Sequence, residues 1–263
     1  MSTDEPQGLP ARHGDDRAME NAQLISLSRQ IALQRQMDVV ANNLANINTT
    51  GFKGEDLLFE DYVMPVAADD DFMPVDRDLH YTMDWSTVHD MATGSIEQTG
   101  NPLDVALSGK GFLVVETPQG ERYTRAGSLQ IASDGTLVDL DGNPVLSDQG
   151  PIRFEPTETD INIASNGSIS TSEGAKGALR LVEFEDPRLL AKAGNNLYSG
   201  TGGVPAIGTQ VVQGSIERSN VSGVAQLTEM IRIQRAYQSL ATLMQKQDDI
   251  RSTAIRRLGD MNA

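Results

Sequence analysis

Apolar residues recur in alternating steps of three and four near both ends of this chain. Near the N-terminus they are Leu33, Met37, Val40, Leu44 and Ile47; near the C-terminus they are Met230, Ile233, Tyr237, Leu240 and Met244. That spacing places each set on one stripe of a helix, the seam of a coiled coil. A further C-terminal seam through Leu243, Gln247, Ile250, Ala254 and Leu258 extends the second helix. Roughly 36 residues rising about 1.5 Å each make a rod of about 54 Å. Helices of this length need partner surface to stabilise them. Two readings stand: the seams bury each other as a hairpin within one chain, or they pack on copies from other subunits, with room for one edge of each kind.

The ends of both helices are punctuated. Asn21 suits an N-cap for the first, and Thr49, Thr50 and Gly51 stop it, the glycine fitting a left-handed position. Ser222 suits the cap of the second and Gly259 its stop, with Arg256 and Arg257 complementing the negative helix end. Asn42, Asn43, Asn46 and Asn48 crowd the end of the first helix. Amides both donate and accept, so they suit the orphan carbonyls of a helix terminus and a bridge to a neighbouring subunit.

Between the helices the period changes to two. Segments at 112–116, 121–125, 129–132, 136–139, 152–155, 161–164, 168–170, 179–184 and 211–217 read as short strands. Asp134-Gly135, Asp141-Gly142 and Asn166-Gly167 mark turns between them. One short helix is expected at "DPRLLAKAG", capped by Asp186, with Pro187 at its first position and Gly194 closing it. The fold class is therefore α+β: long N- and C-terminal helices pairing as a coiled-coil-like layer, around an all-β middle of short antiparallel strands. The expected division is 1–18 a disordered leader (or a misplaced start, with Met19 as the alternative), 19–52 the N-terminal helix, 53–93 an extended connector, 94–218 the β-rich domain and 219–263 the C-terminal helix.

Composition narrows the function. The 263 residues hold 21 basic and 37 acidic side chains, a formal charge of −16 that repels nucleic acid and anionic membrane. No apolar run approaches the ~18 residues of a membrane span, so no membrane insertion is expected. The N-terminus has no basic-then-apolar signal segment. There are no cysteines, which excludes disulfides and thiolate chemistry.

Candidate sites for chemistry are poor. "DLDGNPVLSDQG" invites a calcium loop, but from Asp139 the required glycine position holds Pro144 and the closing glutamate position holds Gly150, so a hairpin turn is expected. "SGKGF" lacks a full phosphate loop and a following helix, and reads as a turn. His13, His80 and His89 have no partner at a metal or catalytic spacing. No catalytic, cofactor or metal site is expected. Two functions of another class stand as alternatives, an enzyme using a carboxylate pair in the β middle and a secreted monomeric β-rich binding module.

Three blocks carry a resemblance. "MDVVANNLANINTTGFK" (Met37–Lys53), "TGNPLDVALSGKGFLVV" (Thr99–Val115) and "SNVSGVAQLTEMIRIQRAYQSLATLMQKQDDI" (Ser219–Ile250) resemble, in order, the signatures of the bacterial flagellar axial proteins of rod and hook. The residues that carry it are Asn42, Asn43, Asn46, Asn48, Thr50, Gly51, Phe52, Asn101, Pro102, Asp104, Gly109, Gly111, Phe112, Ser219, Asn220, Val221, Arg235 and Tyr237. The short middle is similar to rod members and lacks the insertions of the hook, with the proximal-rod type first and the distal-rod type close behind. The resemblance implies a non-enzymatic subunit without cofactors, exported by the flagellar type III apparatus without a cleaved signal. It also implies polymerisation in the periplasm with other copies and neighbouring rod proteins, the terminal helices forming an inner layer and transmitting torque.

Overall fold

A computed structural model describes residues 13–65 and 78–260. The chain divides into two units: one takes residues up to 39, 57–86 and from 228 onward; the other takes 40–56 and 87–227.

In the first unit the helices dominate. Helix α1 spans His13–Ala45 and α2 spans Gly223–Asp260. Helix α1 begins before Asn21, because Arg17, Ala18, Met19 and Glu20 are all strong helix formers and carry the helix back through the expected leader. Residues 1–12 of that leader lie outside the described residues. Helix α2 includes Gly259, which was expected to stop it. Gln30 Nε2 donates to the Tyr237 hydroxyl at 2.7 Å, a hydrogen bond that ties the two helices. Ile233 is buried, and Leu33, Met37, Met230, Tyr237, Leu240 and Met244 are half-buried. The further seam faces outward: Leu243 is 58% exposed and Ile250 is 70% exposed.

The expected connector contains two long strands, Glu55–Pro65 and Asp78–His89, paired as a two-stranded sheet. The period-two signal is present in Leu79, Tyr81, Met83 and Trp85. Residues 66–77 of the expected connector lie outside the described residues.

The second unit is built of antiparallel strands. Its largest sheet has six, in the order Ala191–Lys192, Leu197–Ser199, Gly120–Thr124, Phe112–Thr117, Leu181–Glu183, Val204–Pro205. Strand Phe112–Thr117 is buried on both faces, which explains its unbroken apolar run "FLVV". Leu113 and Val115 join a core with Val105, Leu107, Leu137 and Val145. Phe112 and Val114 join a second with Phe184, Leu190 and Tyr198. The Asp134-Gly135 and Asn166-Gly167 hairpins form as the sequence predicts, with Gly135 at φ 83° and Gly167 at φ 85°.

The predicted "DPRLLAKAG" helix is one 3₁₀ turn, Pro187–Leu189. Asp186 does cap it, accepting from the Arg188 N–H. Leu190 then enters the second core, and Ala191–Lys192 pair with Leu197–Ser199. Tertiary pairing overrides the local helical pattern, and Gly194 (φ 86°) serves a hairpin in place of a helix end.

Candidate functional site

Within the second unit, the first two motif segments meet at one buried carboxylate, two residues before the third segment begins. Glu217 closes strand Ser215–Glu217 with its side chain fully inside. Its Oε1 lies 2.5 Å from Lys53 Nζ and accepts the Gly94 N–H at 2.9 Å. Its Oε2 lies 3.2 Å from Arg125 Nε. Lys53 Nζ also donates to the Ala92 carbonyl at 2.8 Å. The Arg125 guanidinium donates to the carbonyls of Gly111 and Gly109 at 2.5 and 2.7 Å and lies over the Phe112 ring. That contact gives "SGKGF" its role: a turn whose two carbonyls receive a buried cation. Gly111 N–H is itself held by Thr209 Oγ1 at 2.8 Å.

Burial pulls the Lys53 ammonium below its ordinary pKa, with Glu217 opposing, and lowers Arg125 for the same reason. Lys53 Nζ, both Arg125 Nη atoms and Glu217 Oε1 are hydrogen-bonded within the chain, while Arg125 Nε and Glu217 Oε2 face each other as an ion pair without a hydrogen bond. The cluster is a lock that holds Lys53, Arg125 and Glu217 together inside this unit.

The asparagine run serves the same junction, though not uniformly. Helix α1 ends at Ala45, ahead of the predicted stop at Thr49–Gly51, because Asn46 N–H is shared between the Asn42 and Asn43 carbonyls and the chain then tightens. Asn46 Nδ2 satisfies the Asn42 carbonyl at 2.9 Å, the role expected of these amides. Asn43 is buried and turns away from the helix end. Its amide accepts from Glu55 N–H at 2.9 Å and donates to Glu55 C=O at 2.8 Å, clamping the first strand after the turn. Asn42 and Asn48 are exposed and Thr50 is half-buried, its carbonyl accepting from Asn196 Nδ2 at 2.8 Å. Val40 is buried, whereas Leu44 and Ile47 are half-buried.

The remaining motif residues are placed as follows. Gly51 holds φ 65° and donates to the Glu217 carbonyl at 2.7 Å. Phe52 is buried, with Lys192 Nζ 4.6 Å from its ring centroid. Asn220 Oδ1 accepts from Gly54 N–H at 2.8 Å while its Nδ2 bridges the Asp90 and Ala92 carbonyls. Ser219 Oγ accepts from Val221 N–H. Asn101 and Thr99 hold the two Asp104 oxygens, and the Pro102 carbonyl takes a hydrogen bond from Gln213. Arg235 is exposed on α2.

Sequence reasoning missed Glu217, Arg125 and Thr209. The available signal was Glu217 itself, a charge on the inward side of an alternating strand. Asp139, weighed as a calcium ligand, spends its carboxylate on the N–H groups of Asp141 and Asn143 in its own turn. Among the described residues no group of three or more His, Asp or Glu converges to hold a metal, and no helix is long and apolar enough to cross a membrane.

His89 was also missed as a structural residue. It is buried edge-on to Tyr198, centroids 5.5 Å apart, with Nδ1 4.0 Å from Glu55. Burial lowers its pKa below 6.5, against the pull of Glu55. The unfolded chain therefore takes up a proton near pH 6.5 that the folded unit resists, so stability falls as pH drops through that value. We expect a slope of up to ~1.4 kcal/mol per pH unit, read from urea midpoints between pH 7.5 and 5.5. His89→Phe should flatten that limb.

Comparison with known proteins matches three family models. Residues 24–53 match "Flagella basal body rod protein", residues 106–171 "Flagellar hook protein FlgE/F/G D1 domain", and residues 212–257 "Flagellar basal body rod FlgEFG protein C-terminal". The chain is 38% identical to the flagellar basal-body rod protein FlgF of Caulobacter vibrioides, over 93% of this chain and 100% of that protein. It is 31% identical to FlgF of Mesorhizobium japonicum, over 92% and 99%. It is 32% identical to the rod protein FlgG of Agrobacterium fabrum, over 86% and 95%.

Proposed function

The chain belongs to the family of flagellar basal-body rod proteins, and from that premise we propose that it occupies the proximal rod and polymerises through its terminal helices. It is a structural subunit of the basal-body rod, in a family that is not enzymatic, and it assembles with other rod proteins.

The observation that carries the helical contact is the outward seam. Leu243 and Ile250 stand exposed on one stripe of a 38-residue helix, about a quarter-turn round from the buried Ile233. An apolar edge of this kind gains by meeting a partner. The inward seam, Leu33, Met37, Val40, Leu44 and Ile47 with Met230, Ile233, Tyr237, Leu240 and Met244, then aligns the helices in a coiled-coil-like layer. The outward edge joins copies and neighbouring rod proteins. The exposed amides of Asn42 and Asn48 add polar contacts at the helix end. Similarity to FlgF across more of the chain than to FlgG supports the proximal position.

Passage through the flagellar type III export apparatus, without a cleaved signal peptide, would deliver the chain to the periplasm, where a rigid rod transmits torque. Deleting the gene tests this reading. Non-motile cells whose basal bodies lack a complete rod are expected; normal swimming with intact rods would overturn it.

A further inference from the structure

The buried cluster holds two cations and one anion, and the anion comes last in the chain. Lys53 and Arg125 are 1% and 2% exposed, and Glu217 is their only carboxylate partner at ion-pair distance among the described residues. We propose that Glu217 is a completeness check: the β unit cannot close until the final strand before α2 delivers this carboxylate. A chain that emerges N-terminus first presents both cations long before it presents Glu217. Until then, closing the unit would put two like charges into one low-dielectric site with no carboxylate at ion-pair distance, Asp90 acting on Lys53 only from farther away.

The three charges are not equivalent, and that asymmetry distinguishes this device from an ordinary buried ion pair. Removing Lys53 leaves Glu217 paired with Arg125, a neutral couple. Oε1 keeps the Gly94 N–H, and the Ala92 carbonyl keeps Asn220 Nδ2 at 3.2 Å. Removing the Glu217 charge strands both cations. Arg125 still has its carbonyls at Gly109 and Gly111, whereas Lys53 keeps the Ala92 carbonyl and a neutral amide oxygen in place of its counter-charge. Glu217 also anchors Gly51 through its backbone carbonyl, a contact that Glu217→Gln leaves in place. The inference concerns folding of the chain itself and does not rest on the rod assignment.

The test uses the full chain with Lys53→Met, Glu217→Gln and the double substitution, read by amide hydrogen exchange in strands Val105–Ser108 and Phe112–Thr117 and by urea midpoint. Glu217→Gln makes the complete chain equivalent to one whose last strand brings no charge. Protection in these strands should fall by roughly a hundredfold or more, while Lys53→Met stays within about tenfold of the parent. The double substitution should recover part of the loss, since it removes one of the two stranded cations. A structural role through packing or hydrogen bonds alone predicts the reverse, with the two losses adding. Glu217→Gln as stable as Lys53→Met, or a double substitution worse than Glu217→Gln, would overturn the proposal. If Glu217→Gln is too unfolded for exchange measurements, recovery of a cooperative urea transition in the double substitution supports it, and absence of recovery overturns it.

Discussion

Gly51→Ala is expected to destabilise the β unit by about 4 kcal/mol or more, a large share of the ~5–15 kcal/mol that holds a typical domain together. Gly51 sits at φ 65°, and a Cβ there would stand 2.3 Å from the Arg125 carbonyl carbon and 2.5 Å from Ala126 N. Those neighbours are backbone and cannot rotate aside. Moving them pulls Arg125 off Glu217 and breaks the Gly51 N–H bond to the Glu217 carbonyl, so one methyl group opens the lock. Gly142→Ala is the matched control. Gly142 has φ 86° with nothing within 4 Å of its Cβ position, so only the left-handed backbone cost of ~1–2 kcal/mol should remain. Urea midpoints of the two variants separate clash from conformation.

The second large effect is on assembly. Leu243→Glu with Ile250→Glu should leave the stability of the isolated chain within about 0.5 kcal/mol, because both side chains already face solvent. The same pair should abolish motility in cells that carry no other copy of the gene, since two charges two turns apart on the outward edge cannot be buried against a neighbour. Ile233→Glu serves as contrast: it puts a carboxylate into the buried side of α2 and should damage the chain before any assembly step. Full swimming by the Leu243/Ile250 variant would place the subunit contacts elsewhere.

Much of this was legible from residue order. The three-and-four steps found both helices, and the Asp-Gly and Asn-Gly pairs found real hairpins, because these signals are local and their physics is complete within a few residues. The failures share a cause. "DPRLLAKAG" is punctuated as a helix, but burial of Leu190 and pairing of Ala191–Lys192 with a distant strand decide its form. Asn43 reads as a helix-end amide, but its partner is the backbone of Glu55, across the turn. The charge lock is the extreme case. Lys53, Arg125 and Glu217 are far apart in sequence, only Lys53 falls inside a quoted motif, and only the closed fold brings both cations within 3.2 Å of Glu217. Motif residues such as Gly51 and Asn220 were visible; what they hold in place was not.

The measurement that bears most directly on the central claim is an electron cryo-microscopy map of the basal-body rod resolved to side chains. α2 is expected in the rod's helical layer, with Leu243 and Ile250 packed against a neighbouring subunit and the Lys53–Glu217–Arg125 cluster intact within each copy. A map in which Leu243 and Ile250 face solvent, with neighbouring copies touching only through their β units, would contradict it.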